Sequence, residues 1–504
     1  MRVLFVASEA YPLAKTGGLG DVCRALPNAL MEKGVDVRLL LPAYPSALET
    51  LVGGRVEASL DGVLGVPDGR LISGRLPNSH LPTWLVDAPS LYRRPGGPYT
   101  DEAGADWADN ALRFAYLSQV GALIGLGLAA YWKADVVHAN DWQTGLLPMM
   151  LRADGRRRPR TVFTIHNLAF QGLFPLETAR GLGVRDEDLT SDGCEFYGQA
   201  SFLKAGVRFA DRVTTVSPTY AREILTPDFG VGFDGLLRER GADFRGILNG
   251  VEEALWNPAT DPRLPALFSA RDMSGKPACK AALQRELGLP VAPDVPLVGF
   301  ASRLTQQKMA DVLVEALPWF AKVGAQLAIV AQGDPAIAAA LAEVGRLYPD
   351  NLAVHIGYEE PLAHRLYAGA DMMLAPARFE PCGLTQLYAM RYGALPIVRR
   401  TGGLADTVID ADAETLAART ATGFIFDEVT AGGMIGAAER AFALHRQPLA
   451  WRRLQLQAMG RDFGWDASAT EYLRLYRDLL DLTEPRPRPA EPVDVAEEPP
   501  TIAL

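Results

Sequence analysis

Apolar residues in this chain come in short runs rich in Val, Ile and Leu, separated by longer stretches in which apolar positions recur at helical spacing. Such alternation predicts parallel strands buried on both faces by helices. The runs are Val3 to Ala7, Val35 to Leu41, Asp135 to His138, Thr161 to His166 and Arg212 to Val216, then Pro296 to Ala301, Gln326 to Ala331, Leu352 to Ile356 and Asp371 to Ala375. The pattern breaks at Gly246-Ile247-Leu248-Asn249-Gly250, before the turn-rich Trp256-Asn257-Pro258 and Asp261-Pro262. It resumes at Pro296. The expected architecture is α/β, with two Rossmann-like doubly wound domains, 1–246 and 247–464, facing a cleft. Tyr472, Leu475, Tyr476 and Leu479 at helical spacing predict a closing amphipathic helix over 465–482. The Pro- and Glu-rich remainder, 483–504, reads as a disordered tail.

Composition narrows the partners. A net charge of −10 over 504 residues argues against a general nucleic-acid surface, although one phosphorylated ligand in a basic cleft stays open. The basic run Arg156-Arg157-Arg158-Pro159-Arg160 is expected to be a solvated loop. Four cysteines, Cys23, Cys194, Cys279 and Cys382, lie far apart without a Cys-x-x-Cys pair, which speaks against a disulfide scaffold or zinc site. The N-terminus lacks signal-peptide regions, and the longest apolar stretch, Gly121 to Trp132, falls short of the roughly 20 residues that cross a bilayer. A soluble cytoplasmic protein without a membrane partner is expected.

Candidate chemistry sits where strands end. Lys15-Thr16-Gly17-Gly18-Leu19-Gly20-Asp21 follows the first strand and opens a helix, a place where free amides, flexible glycines and a lysine suit a phosphate. It matches neither the dinucleotide fingerprint nor a nucleoside-triphosphatase loop. Ser302 to Lys308 follows the strand ending at Ala301, so Arg303 and Lys308 are suited to clamp a diphosphate and neutralise a leaving group. Between a strand and a helix, Phe379-Glu380-Pro381-Cys382-Gly383-Leu384-Thr385 offers a carboxylate for sugar hydroxyls and a second set of amides for an anion. Cys382 at a helix start reads either as a thiol of raised reactivity or as a buried filler. Asp141 and His166 end apolar strands. His166 is able to donate to a hydroxyl, or to a backbone carbonyl that stabilises positive charge at a reacting carbon. Asp410-Ala411-Asp412 has the spacing of a metal motif but follows a helical pattern rather than a strand, so no metal is assigned.

In this order, these segments resemble the bacterial and plant glycogen/starch synthase family that uses ADP-glucose. The resemblance runs from about Arg2 to Tyr476 and also includes Leu91-Tyr92 to Pro98-Tyr99, His166 to Gly172, Thr215 to Tyr220, Ile247 to Val251 and Thr401 to Thr407. It implies a GT-B glycosyltransferase whose 1–246 half faces the acceptor, whose 247–464 half binds the nucleotide sugar, and whose last helix crosses back. The implied reaction is metal-independent, with no cofactor: glucose passes from ADP-glucose, with retention, to the non-reducing end of an α-1,4-glucan such as glycogen. By position, Lys15, Arg303 and Lys308 would hold the diphosphate with amides at Gly18, Leu384 and Thr385, and Gly17, Asp21 and Gly383 would join the substrate-binding residues. Tyr358 would stack on adenine. Glu380 and Cys382 would meet the glucose hydroxyls, with His166, Asp141 and Asn249 completing the pocket.

Retention is compatible with a covalent carboxylate, for which Asp141 and Glu380 are the candidates, or with same-face attack in which the leaving phosphate takes the acceptor proton. Aromatic residues between Tyr92 and Tyr99 are suited to stacking on glucan. The alternatives are a UDP-glucose-dependent GT-B enzyme, a catalytically silent glucan binder and a dinucleotide oxidoreductase. Four residues depart from the family pattern: Met309 for a glycine, Asn140 for a histidine, Glu252 for an aspartate and Gly464 for a serine. Of these, Met309 bears most directly on donor binding, because it follows Lys308.

Overall fold

The computed structural model describes residues 1–129, 131–153, 158–357 and 359–481. The first half is built on strands β1 (Arg2–Val6), β2 (Asp36–Pro42), β3 (Val52–Ser59), β4 (Arg70–Arg75), β5 (Pro82–Asp87), β6 (Val136–Asn140) and β7 (Arg160–Ile165). A separate three-stranded sheet follows, from β8 (Leu173–Pro175), β9 (Glu195–Phe196) and β10 (Gln199–Ser201), before β11 (Arg212–Thr215) and β12 (Phe244–Gly246) rejoin the main sheet. The nine-stranded order is β12-β11-β7-β6-β1-β2-β5-β4-β3. All pairings are parallel except β5–β4 and β4–β3. β3, at the edge, is largely exposed and β4 only partly buried, whereas β5 is buried around Trp84-Leu85-Val86. Polarity hid β3 and β4 from a reading keyed to buried parallel strands, and the three-residue apolar run of β5 was too short to mark it.

The second half is a wholly parallel six-stranded sheet of β13 (Leu297–Leu304), β14 (Gln326–Gly333), β15 (Leu352–Ile356), β16 (Met372–Ala375), β17 (Leu395–Arg399) and β18 (Phe424–Phe426). Its order is β15-β14-β13-β16-β17-β18. In both sheets the strand order reverses beside the first strand of the half: β1 lies between β6 and β2, and β13 between β14 and β16. Loops leaving such a strand diverge from their neighbours and leave a crevice at the carboxyl ends. The loops after β1 and β13 carry Lys15 and Lys308.

The closing helix spans Trp465–Leu479 and buries Tyr472, Leu475, Tyr476 and Leu479 in the first-half core. The Tyr476 hydroxyl lies 2.6 Å from Nδ1 of the buried His138 on β6. The helix thus belongs by packing to the sheet it is farthest from in sequence. The basic run is not simply solvated, because Arg158 forms a bidentate pair with Asp211 at 2.7 and 2.8 Å and Arg160 opens β7; Arg156 and Arg157 lie outside the described residues. Among the described residues no helix is long and apolar enough to cross a membrane.

Candidate active site

Glu9, at the end of the first strand, anchors the glycine-rich loop. Its carboxylate accepts hydrogen bonds from Thr16 Oγ1 at 2.9 Å, from the Thr16 amide and from Tyr99 OH at 2.6 Å. Burial raises the pKa of Glu9, and these donors counter the shift. Lys15 therefore leaves a tethered backbone: its Nζ lies 2.8 Å from Asp21 and 3.6 Å from Glu360, which belongs to the second domain. Gly18 opens the helix Gly18–Glu32 without a side-chain cap, so the first amides of that helix remain directed at the cleft. A Cβ on Gly18 would stand 3.5 Å from Leu384 Cδ1, which places the two glycine-bearing loops face to face.

On the opposite wall, Lys308 Nζ is ion-paired with Glu380 Oε2. Glu380 is 9% exposed, and its position is enforced from behind. The Gly403 amide donates to Glu380 O at 3.0 Å, and a Cβ on Gly402 would come within 1.8 Å of that same oxygen. Only glycine permits that approach at the positive φ of Gly402. Gly383, also at positive φ, packs on Gln386, whose amide nitrogen donates to Cys382 O and Gly383 O at 3.1 and 2.9 Å. Leu384 and Thr385 then begin the helix Thr385–Arg391. A small cavity is lined by Ser302, Lys308, Glu380, Gly383 and Thr385 among others. Arg303 does not sit in the turn as expected: β13 continues to Leu304, and Arg303 is an exposed strand residue with no ion pair among the described residues.

Between these walls stand Asp141, His166 and Asn249. Asp141 adopts a φ of 57°, a conformation disfavoured for a residue with a Cβ. Its carboxylate accepts the His166 amide at 2.7 Å, yet burial pushes its pKa up to about 7. His166 is held neutral by burial, its pKa depressed to about 3. Asn140 donates its amide nitrogen to Val6 O at 3.0 Å, which leaves Oδ1 as an acceptor 3.0 Å from His166 Nε2. The single N–H of the neutral ring therefore points at Asn140, and Nδ1 carries the lone pair. His166 can accept from a hydroxyl through that ring, not donate to one. Asn249 Oδ1 is buried without a hydrogen-bond partner among the described residues. An orphaned acceptor in a cleft fits a ligand hydroxyl. Cys382 is buried, and its thiol pKa is pushed up to about 12 by that burial, so the reactive-thiolate reading falls and the filler reading stands.

Tyr358 lies outside the described residues. Tyr92 is unavailable for stacking, being buried with its hydroxyl donating to Arg113 O at 2.5 Å. Asp410 accepts from the Ile425 amide at 2.7 Å and from Arg440, and Asp412 caps the helix Ala413–Ala418. Both are structural, and among the described residues no group of three His, Cys, Asp or Glu is placed to hold a metal. The sequence reading missed Glu360, whose carboxylate also meets Tyr11 OH at 3.4 Å and Arg263 at 3.3 Å. It also missed the contacts that hold the halves together. Ser217 Oγ donates to Pro381 O at 2.6 Å, Thr219 to both oxygens of Asp406 at 2.8 and 2.6 Å, and the Gly402 amide to Glu223 at 2.9 Å. No local pattern shows that these residues meet, because each partner is more than 150 positions away.

Two facing, largely parallel sheets with a glycine-lined cleft between them are the architecture of the GT-B class of glycosyltransferases. The starch synthase catalytic domain model matches residues 2–239, and the glycosyl transferases group 1 model matches 295–430. Glycogen synthase of Burkholderia thailandensis is 53% identical over 480 residues, covering 94% of this chain and 90% of its own. The glycogen synthase of Paramagnetospirillum magneticum is 49% identical, covering 95% and 98%. The catalytic domain of starch synthase IV from Arabidopsis thaliana, solved with ADP and acarbose bound, superposes with a TM-score of 0.87 at 33% identity, over 95% of this chain and 99% of that one. The chain belongs to the glycogen synthase family.

Proposed function

We propose that this enzyme transfers glucose from ADP-glucose to the 4-hydroxyl at the non-reducing end of an α-1,4-glucan, with retention of configuration. The observation that carries the reading is the Lys308–Glu380 pair held across the cleft from Lys15. Breaking the bond between the anomeric carbon and the β-phosphate oxygen builds negative charge on the diphosphate and positive charge on the sugar. Lys15, Lys308 and the amides of Gly18, Leu384 and Thr385 meet the first, with Arg303 joining from the exposed end of β13. Glu380 orients the sugar hydroxyls, Asn249 Oδ1 and His166 Nδ1 accept from others, and Asp141 stands beneath the pocket.

The environment favours same-face attack over a covalent intermediate. Asp141 is tied to the His166 amide and is only partly ionised near neutrality, and Glu380 is paired with Lys308. Neither is a free nucleophile. In same-face attack the acceptor O4 bonds to the anomeric carbon as the phosphate leaves, and the O4 proton passes to a β-phosphate oxygen of ADP. ADP rather than UDP is supported by the ADP bound in the starch synthase IV neighbour.

The test is nucleotide release from ADP-glucose and UDP-glucose, each with and without glycogen and without added metal. Glycogen-dependent ADP release is expected. Turnover with UDP-glucose alone would reassign the donor, and none with either would favour a glucan binder. Lys15→Ala and Glu380→Ala should each reduce turnover at least tenfold with folding intact, a loss on the order of 1.4 kcal/mol or more in transition-state binding. Near-normal rates in either would remove that residue from the site.

A further inference from the structure

A depression of about 400 Å³ lies outside the cleft. It lies at the opposite, amino-terminal ends of β7 and β11, where Arg152, Arg158, Arg160, Arg208, Arg212 and Arg240 converge. In a protein of net charge −10, six guanidinium groups around one hollow are a local reversal of sign. Four aspartates also line it, Asp211, Asp243, Asp478 and Asp481, so the arginines exceed the carboxylates by two. Among the described residues only two of those carboxylates are engaged: Arg158 pairs with Asp211 at 2.7 Å, and Arg212 and Arg240 reach Asp243 at 2.7 and 4.0 Å. Arg152, Arg160 and Arg208 form no ion pair there, and all three are exposed. Arg208 donates Nε to Asp192 O at 2.7 Å, which fixes it at the rim, and Arg152 lies over the Phe209 ring. Arg240 Nε is buried without a hydrogen-bond partner among the described residues.

We propose that this hollow is a second anion site, for a small molecule carrying two or more phosphate groups. Planar, always-charged guanidinium groups converging on one hollow suit phosphate oxygens. A volume of about 400 Å³ holds a small ligand and does not extend along a polymer. The hollow is separate from the catalytic diphosphate site: Arg160 and His166 stand at opposite ends of β7, roughly 20 Å apart at the usual strand rise. The final helix contributes Asp478 and Leu479 to the lining, so the ligand would touch the same helix that joins the two halves.

The probes are sodium tripolyphosphate and, separately, fructose 1,6-bisphosphate, titrated calorimetrically into the full-length protein and into Lys308→Ala, which weakens the catalytic site. Saturable one-to-one binding of at least one probe that persists in Lys308→Ala is expected. Which probe binds tells condensed phosphate from a sugar bisphosphate. Arg160→Ala/Arg208→Ala should weaken it at least tenfold, Arg152→Ala at least threefold, and Arg55→Ala, on the exposed far-edge strand β3, not at all. Basal glucose transfer should stay within twofold in the Arg160 and Arg208 variants. Absence of binding by both probes at millimolar concentration, loss of it in Lys308→Ala, or equal weakening by Arg55→Ala would each overturn the proposal.

Discussion

Met309 shows how one side chain can be wrong locally and right globally. It takes a φ of 50°, the left-handed region that costs a side-chain-bearing residue roughly 1–2 kcal/mol, yet the side chain is completely buried in the second-half core. Truncating a buried methionine costs about 2–5 kcal/mol, so burial outweighs strain. Met309→Ala and Met309→Gly should both destabilise, with the glycine variant the milder by about 1 kcal/mol in denaturant unfolding, since it alone relieves the φ. A glycine variant less stable than the alanine one would contradict that account. Asp141 carries a pH signature. Its folded pKa of about 7 exceeds the ordinary 3.8, so between those values the native state holds a proton the unfolded chain has released. Stability from this group is complete below the lower value and falls as pH rises through the upper one. The melting-temperature difference between Asp141→Asn and the parent should therefore shift in the variant's favour from about pH 5 to about pH 8. A difference that stays flat would mean Asp141 is ionised throughout.

At the scale of elements, loops are held by backbone contacts rather than by the side chains they present. The Thr401-Gly402-Gly403 turn backs the Glu380 carbonyl so closely that any Cβ at Gly402 must push it away. Gly402→Ala should lower kcat roughly a hundredfold, the cost of displacing by about 1 Å a group proposed to act on the sugar, and should lower the melting temperature as well, because the clash is with backbone and the φ is positive. A variant with normal kcat would show that Glu380 tolerates movement. The closing helix is fixed by a polar contact inside an apolar interface, His138 to Tyr476 at 2.6 Å, continued from His138 Nε2 to Thr164 Oγ1 at 2.6 Å. Tyr476→Phe should cost about 1–3 kcal/mol in equilibrium unfolding, because it leaves a buried ring nitrogen unsatisfied. Two departures from the family pattern find their reasons at this scale. Glu252 reaches across to Arg24 at 3.0 Å, and Asn140 sets the His166 tautomer.

At the scale of the whole molecule, direct polar contacts hold the two halves together. Lys15 with Glu360, Thr219 with Asp406, and Thr401 and Gly402 with Glu223 all cross between the halves. Closure over the sugar excludes water that would otherwise hydrolyse the donor. Glu223→Ala combined with Asp406→Ala removes hydrogen bonds worth roughly 1–3 kcal/mol to charged groups. The radius of gyration from small-angle scattering should rise, and kcat/KM for the donor should fall several-fold. An unchanged radius would place the holding force elsewhere.

Much of this protein was written in its local sequence. Buried parallel strands need continuous apolar runs, and all nine of those runs overlap strands, namely β1, β2, β6, β7, β11 and β13 to β16. The doubly wound α/β architecture followed from that alternation; the GT-B class and the family were implied by the resemblance of the ordered motifs to glycogen and starch synthases. Local sequence also carried Lys15, Lys308 and Glu380 as charged groups at strand ends. What it left undetermined depends on neighbours distant along the chain. The tautomer of His166 is set by Asn140, the neutrality of Cys382 by burial, and the exposed position of Arg303 by the length of β13. The same holds for Glu360 and Glu223, which acquire partners only when the halves meet, and for the arginine hollow, assembled from segments between Arg152 and Asp481. Periodicity specifies which face of an element is buried; charge, tautomer and contact are fixed by what tertiary packing brings within a few ångströms.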